Sequence, residues 1–269
     1  MKRTILLTFD LEEFDLPLEY GIQIREQEQH AVTNEGLDRL RALLSAYNIA
    51  ATFFTTGSYA VKNAEALQEL SGLHEIASHS LKHTGFNPSD PADSKVLIEK
   101  IIRKNVSGFR MPRFAKTGRA KLKADGFKYD SSLNPVYLPG RYNYLQAPRS
   151  VFRDSSSELI EIPLSASPIL RIPLFWLSFK NLPFTVYAGL CKTTLRKDGY
   201  LHLCLHPWEF ADLTGYNLPG YIKRISGEDY TRRLEKLIIV LREEAEFLTV
   251  SAFLESIHPI EKSFNLDRL

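Results

Sequence analysis

Short apolar runs and helix-period patterns alternate along the first half of the chain. ILLTFD (5–10) is an apolar run of strand length, and NEGLDRLRALLSAY (34–47) follows with Leu37, Leu40, Leu43 and Leu44 on one helical face. IAATFFTT (49–56) is a second strand, so the chain opens on a βαβ unit. The alternation continues through a helix near YAVKNAEALQELSG (59–72), a strand in HEIASHS (74–80) and a helix around SKVLIEKIIRKN (94–105). A strand in GFRMPR (108–113), a helix in TGRAKLKADG (117–126) and a short strand at FKYDSS (127–132) come next. Such alternation predicts an α/β fold on a parallel sheet. No glycine-rich dinucleotide or phosphate-loop turn follows any of these strands, which favours a barrel over an open cofactor-binding sheet. Around residues 134–183 the pattern lapses into proline- and aromatic-rich sequence, as in NPVYLPGRYNYLQAPRSVF and ELIEIPLSASPILRIPLFW. That insertion reads as a functional rim or lid, because recognisable elements resume after it. YLHLCLHPWEF (200–210) is a strand ending at His206, EDYTRRLEKLIIVLREEA (228–245) an amphipathic helix, and FLTVSAFLESI (247–257) a last strand and helical turn. A single catalytic domain over residues 1–269 is expected.

Composition narrows the function classes. The 269 residues carry 34 basic and 32 acidic side chains, a formal net charge of +2, so neither a nucleic-acid nor an anionic-membrane partner is indicated. Cys191 and Cys204 lie singly in apolar surroundings and read as buried thiols. The apolar run before Asp10 is too short for a signal-peptide core, which predicts a cytoplasmic protein. SPILRIPLFWLSFKNLPFTVYAGLC (167–191) is broken by Arg171, Lys180 and three prolines, so no membrane span of about 20 residues is expected.

In a parallel sheet the carboxyl ends of the strands share one face, and there the polar residues of this sequence converge. FDLEEFD (9–15) packs Asp10, Glu12, Glu13 and Asp15 behind the first strand. His79 and His83 follow another strand, and Arg110 and His206 end two more. A helical turn over SHSLKH would bring the two imidazoles to one side, a spacing suited to a divalent metal, with Glu12 or Asp10 completing a two-His, one-carboxylate set. Each feature alone has an ordinary reading: helix-capping carboxylates, solvated Glu13 and Asp15, a structural ion pair for Arg110, a satisfied histidine at a His-Pro corner for His206. Their occurrence at successive strand ends points to a site.

Together these residues resemble the polysaccharide deacetylases of the NodB-homology type, carbohydrate esterase family four. LTFDLEE resembles the family's first motif, usually TFDD; HEIASHSLKH its H-[ST]-x-x-H metal motif; GFRMPR its R-x-P motif; and LHLCLHPWEF its final Leu-x-x-His strand end. HPWE is similar to a branch whose first motif is D-x-E. The resemblance spans Leu6 to Phe210 and implies a distorted (β/α) barrel of about seven strands.

It also implies roles. Glu12, His79 and His83 would hold one divalent metal ion, zinc first and cobalt, nickel or manganese as substitutes; a bend after Asp10 would put Glu13 in place of Glu12. Strand alternation sets Asp10 and Glu12 on one face and Leu11 and Glu13 on the other, which favours Glu12. Asp10 would be the general base, Arg110 its orienting partner, the backbone N–H of Arg113 an oxyanion donor where the family has an aromatic residue, and His206 the general acid. Apart from the resemblance, Asp130 in KYDSSL reads either as lining the site or orienting His206 or as a turn cap, and Trp208 and the tyrosines Tyr137, Tyr142 and Tyr144 either as stacking on a sugar or as packing of the lid. The reaction implied is hydrolysis of the acetamide of an N-acetylated sugar or polysaccharide. Hydrolysis of a ureide or imide C–N bond, and a catalytically silent carbohydrate-binding protein, are the alternatives. Oligomeric state is not indicated.

Overall fold

The fold is given by a computed structural model describing residues 3–140 and 142–269. Its strands are β1 (Arg3–Leu11), β2 (Thr52–Thr55), β3 (Glu75–Ser78), β4 (Gly108–Phe109), β5 (Tyr129–Asp130), β6 (Tyr137–Leu138) and β7 (Tyr142–Asn143). After them come β8 (Phe152–Asp154), β9 (Ile160–Glu161), β10 (Tyr200–Leu205), β11 (Ala245–Phe247) and β12 (Ser263–Phe264). The main sheet runs β10-β1-β2-β3-β4-β5-β9-β8-β12. The neighbours from β10 to β9 are all parallel, seven strands in all. Only β8 turns antiparallel, against β9. The sheet curls, and the irregular segment beyond β9 reaches back to β10, where Ser165 N–H donates to His202 O at 3.0 Å. This is the expected distorted barrel, closed by loop rather than by an eighth strand.

The helices are α1 (Leu16–Glu19), α2 (Glu26–Ala46), α3 (Gly57–Lys62), α4 (Ala64–Leu70), α5 (Asp90–Ile102) and α6 (Arg119–Ala124). Then follow α7 (Trp176–Asn181), α8 (Phe184–Asp198), α9 (Gly220–Lys223), α10 (Gly227–Arg242) and α11 (Val250–Ser256). Leu37, Leu40 and Leu44 of α2 pack on the outer face of the sheet in one cluster with Ile5, Leu7, Phe9, Leu203 and Leu205. The inward residues of β1 and β10 are therefore the alternate ones, Thr8 and Asp10, His202 and Cys204. The interior is polar toward the carboxyl ends of the strands, where the site is built, while Leu6, Phe54, Tyr129 and Ile162 form an apolar cluster deeper in.

One helix braces the site from behind. Thr33 of α2 donates to Glu12 O at 2.8 Å. A Cβ on Gly36, one turn later, would lie 1.9 Å from Pro207 O, so only glycine lets α2 seat against the turn that follows His206.

Four expectations need correction here. The helix of residues 59–72 is two helices, α3 and α4, broken at Asn63. The 134–183 insertion is not irregular throughout, since it contributes the β6–β7 hairpin, β8, β9 and α7. Helix α8 was not anticipated. SHSLKH is not a helical turn: beyond the end of β3 it is a bent loop with Ser80 in the left-handed region at φ 66°. Both cysteines are buried free thiols, as read.

Candidate active site

The carboxyl ends of β1, β3, β4 and β10 place Asp10, Glu12, His79, Arg110 and His206 within one buried cluster, with His83 arriving from the loop after β3. The left-handed Ser80 folds that loop back, and α3 fixes it: Gly57 N–H donates to Ser80 O at 3.0 Å and Ser58 N–H to Leu81 O at 2.9 Å. The two imidazoles end 6.1 Å apart, nearly parallel.

Their inner nitrogens are committed. His79 Nδ1–H donates to Arg110 O at 2.9 Å, and His83 Nδ1 is 2.8 and 2.9 Å from the two carboxylate oxygens of Asp15. Both Nε2 atoms therefore face Glu12, whose Oε2 lies 3.2 Å from each. That Oε2 is buried and has no hydrogen-bond partner. Three inward-facing ligand atoms, two imidazole nitrogens and a carboxylate oxygen, fit a divalent transition metal with positions left open. Burial disfavours the Glu12 anion, but His83 and His79 outweigh it and bring the carboxyl down to about 2. Burial also works against a charged His83, yet Glu12 and Asp15 push the imidazole up to about 9.

Glu13 faces the other way. Its carboxylate accepts from Thr56 Oγ1 at 3.0 Å and from Ser58 Oγ, at the first turn of α3. The strand alternation of DLEE thus persists two residues past the end of β1 at Leu11. Neither Glu13 nor Asp15 is a solvated loop residue; both are buried and bonded.

Arg110 is completely buried across the barrel. It donates through Nη1 to Asp10 Oδ1 at 2.6 Å, and through Nη2 to Thr8 Oγ1 and Ser131 Oγ, both at 3.0 Å. His202 gives its Nδ1–H to Pro163 O at 3.1 Å and so accepts from Arg110 Nη2, 3.0 Å away, at Nε2. Burial and the adjacent guanidinium keep His202 neutral, well below the ordinary imidazole range. For Asp10, burial raises the carboxyl, while Arg110, His79 and His206 together hold it below the usual carboxylate range. The second oxygen, Oδ2, accepts from Cys204 Sγ at 3.3 Å and looks toward His79 and His206 at 3.9 and 4.0 Å.

His206 stacks on Trp208 at 4.8 Å and meets Trp176 edge-on at 5.4 Å. Its Nδ1 is 3.4 Å from Glu209 Oε2, which also accepts the His206 backbone N–H at 3.0 Å, while Nε2 faces Asp10 and Glu12. These groups open into a cavity of about 70 Å³ walled by Leu16, Phe114, Phe175, Trp176 and Trp208, with Arg113 and Glu19 at its edge.

Not every candidate reaches this cavity. Asp130 is buried behind it, accepting from Thr117 Oγ1 at 3.0 Å and from Ser132 Oγ, 3.8 Å from Arg119; Glu209 is the carboxylate beside His206. Tyr137 is exposed on the β6–β7 hairpin, away from the cavity, and the Tyr142 side chain lies outside the described residues. Trp208 lines the cavity but is 2 % exposed, and its indole N–H donates to Glu12 Oε1 at 3.4 Å, so it has little face left for a sugar. Arg113 sits at the edge with φ 57°, its guanidinium paired to Glu19 at 2.7 Å.

Sequence reasoning missed His202, Asp15, Glu209, Trp176 and Lys180. The period-two spacing of His202, Cys204 and His206 was the available signal for the first; the insertion gave none for the last two.

A parallel distorted barrel whose strand ends gather this set is the architecture of a NodB-type deacetylase. Residues 1–130 match the family model of polysaccharide deacetylase, in agreement with the resemblance read from the motifs. A "putative polysaccharide deacetylase" from Mycobacterium smegmatis is similar with TM-score 0.68 at 17% identity, over 97% of this chain and 92% of that one. Puue allantoinase is similar with TM-score 0.64 at 14% identity, over 95% and 91%. The Bc1960 peptidoglycan N-acetylglucosamine deacetylase is similar with TM-score 0.53 at 14% identity, over 94% and 89%. At these identities the solved structures speak for the fold. No curated protein matches the sequence significantly.

Proposed function

We propose that the protein is a metal-dependent hydrolase that removes the acetyl group from an N-acetylated sugar or polysaccharide. The observation that carries this reading is the position of Glu12 Oε2, buried, 3.2 Å from the Nε2 atoms of both His79 and His83, beside an Asp10 that Arg110 keeps ionised. Glu12, His79 and His83 would hold a divalent ion such as zinc, which when bound would supply Lewis acidity to the acetamide carbonyl and to the attacking water. Asp10 is the proton acceptor. Its Oδ1 is taken by Arg110, which leaves Oδ2 turned to the cavity. His206 delivers a proton to the departing nitrogen through Nε2, its other face being held by Glu209. The backbone N–H of Arg113, on its left-handed turn at the cavity edge, is assigned to the oxyanion.

The cavity of about 70 Å³ has room for about two waters at ~30 Å³ each, the scale of an acetyl group rather than a sugar ring. The ring would rest outside, against Trp176 and the Arg113–Glu19 edge. Hydrolysis of a ureide or imide C–N bond is the second reading, since it presents the same kind of amide carbonyl to the same residues; the likeness to Puue allantoinase agrees with it. A silent carbohydrate-binding protein has no use for the ionised, deeply buried Asp10.

The test is acetate release by metal-reconstituted protein from N-acetylated sugars, sugar nucleotides, and chitin and peptidoglycan fragments. Acetate from at least one of them is expected. Acetate from none, with turnover of a ureide, would transfer the assignment to the second reading.

A further inference from the structure

The 134–183 insertion contributes a charged side chain to the interior, and the reaction as described does not use it. Lys180, in α7, is 1 % exposed. Its ammonium donates to Ile222 O at 2.6 Å and stands 3.1 Å from Glu209 Oε1, enclosed by the rings of Trp176, Trp208 and Tyr230 at 5.7, 5.8 and 5.0 Å. Glu209 is itself completely buried, and its other oxygen, Oε2, is the one on the Nδ1 side of His206. Lys180, Glu209 and His206 therefore form a line from the outer packing of the barrel to the cavity.

A carboxylate in such surroundings is stable as an anion only with a cation in contact; otherwise burial drives it to take up a proton. His206 cannot serve alone, because it must change its protonation during turnover. We propose that Lys180 is a positioning residue for the acid: by keeping Glu209 ionised and in place it fixes the His206 ring with Nδ1 toward Glu209 and Nε2 toward the reacting nitrogen. The inference rests on the deacetylase reading for its consequence in turnover, but not for its consequence in the ring itself. It assigns the insertion a part in the chemistry besides walling the cavity.

Lys180→Met keeps the length and packing of the stem while removing the charge. The expected result is a kcat lowered roughly 10- to 100-fold, short of the full contribution of a general acid, with KM within about threefold and metal content unchanged. Lys180→Met with Glu209→Gln removes both charges. It should recover most of the thermal stability lost in Lys180→Met yet leave kcat low, whereas two independent residues would give multiplied losses. Histidine-ring ¹⁵N NMR, with the His206 signals identified by their loss in His206→Gln, reads the positioning without any substrate. At a pH where the ring is neutral, the wild type should show its one proton at Nδ1, and Lys180→Met a mixture of tautomers. An unchanged kcat and an unchanged His206 spectrum in Lys180→Met would overturn the inference, even where the protein is less stable. Wild-type protein that turns over no acetylated sugar, with the expected change in the ring spectrum, would overturn the deacetylase reading and leave the positioning role standing.

Discussion

Replacing Arg110 with methionine isolates the electrostatic frame of the barrel interior. The guanidinium is fully buried, pairs with Asp10 at 2.6 Å and donates to Thr8 and Ser131 as well. Methionine retains most of the stem volume, so the loss is chiefly one of charge and donors. Removing one partner of a buried pair costs about 3–5 kcal/mol, because the other charge is left without compensation. Thr8 keeps the bond it donates to Leu203 O and, like Ser131, loses only an accepted one, so about 4 kcal/mol is a fair figure for the whole change. For a chain of 269 residues, each kcal/mol moves Tm by about 2 °C, which sets the expected drop near 8 °C.

The dependence on pH follows from the sign of the Asp10 shift. With Arg110 present the folded carboxyl lies below its unfolded value of about 3.9, so the pairing stabilises the protein above that pH and is lost only as pH falls through the folded value. Without Arg110 the largest opposing charge is gone and burial is countered only by His79 and His206, so the carboxyl rises and acid relieves the variant. The gap in Tm between wild type and Arg110→Met should therefore be larger at pH 8 than at pH 5. Asp10→Asn combined with Arg110→Met should recover half or more of the lost stability. Thermal unfolding followed by circular dichroism on metal-free protein measures all of this. A drop under about 2 °C, or a double variant as unstable as the sum of the single ones, would refute the argument.

Glu12→Gln should lose nearly all metal affinity, whereas Glu13→Gln should keep the ion and lose about 1–2 kcal/mol of stability through its bonds to Thr56 and Ser58; metal titration and thermal unfolding separate the two. Asp15→Asn loosens the orientation of His83 and should weaken metal binding by about 10- to 100-fold in the same titration. His206→Ala should lower kcat roughly 100-fold or more with metal content intact; unchanged turnover would remove it from the chemistry.

The parallel alternation and the polar strand ends were legible because they rest on period and burial, which a sequence carries directly. Glu12 could be preferred to Glu13 for the same reason: side chains alternate through Asp10, Leu11, Glu12 and Glu13, and the backbone keeps that alternation just past the strand. The loop between His79 and His83 could not be read, because its shape depends on Ser80 adopting a left-handed φ that α3 stabilises from elsewhere in the chain. Strands β8, β9 and β12 have two or three residues each, too few to show any period. Helix α8 begins directly after a proline, and its polar Thr185 and Thr193 blur the apolar stripe. Lys180 looked like a charge that interrupts an apolar run. In the fold it is buried because Glu209 and Ile222 O, distant in sequence, meet it.

The crowding of charge around Glu12 also links metal binding to pH. With no ion present, His83 is discouraged from ionising by burial, but Glu12 and the Asp15 hydrogen bond prevail and push it up to about 9. Metal-free protein at neutral pH thus carries a proton on the nitrogen that faces Glu12, and an ion must displace it. One proton released per ion makes the apparent affinity rise about tenfold per pH unit while His83 is protonated in the free protein, and level off above the folded value. The same shift affects stability in the opposite sense. A histidine raised in the folded state stabilises it fully below the unfolded value of about 6.5, and that contribution is lost as pH rises through about 9. Metal-free protein should therefore lose stability between pH 7 and pH 9 over the range in which its metal affinity climbs. Zinc titrations against a competing chelator at pH 6.5, 7.5, 8.5 and 9.5, paired with thermal unfolding of the stripped protein, follow both trends. An affinity independent of pH over that range would show that the proton on His83 is not what the ion replaces.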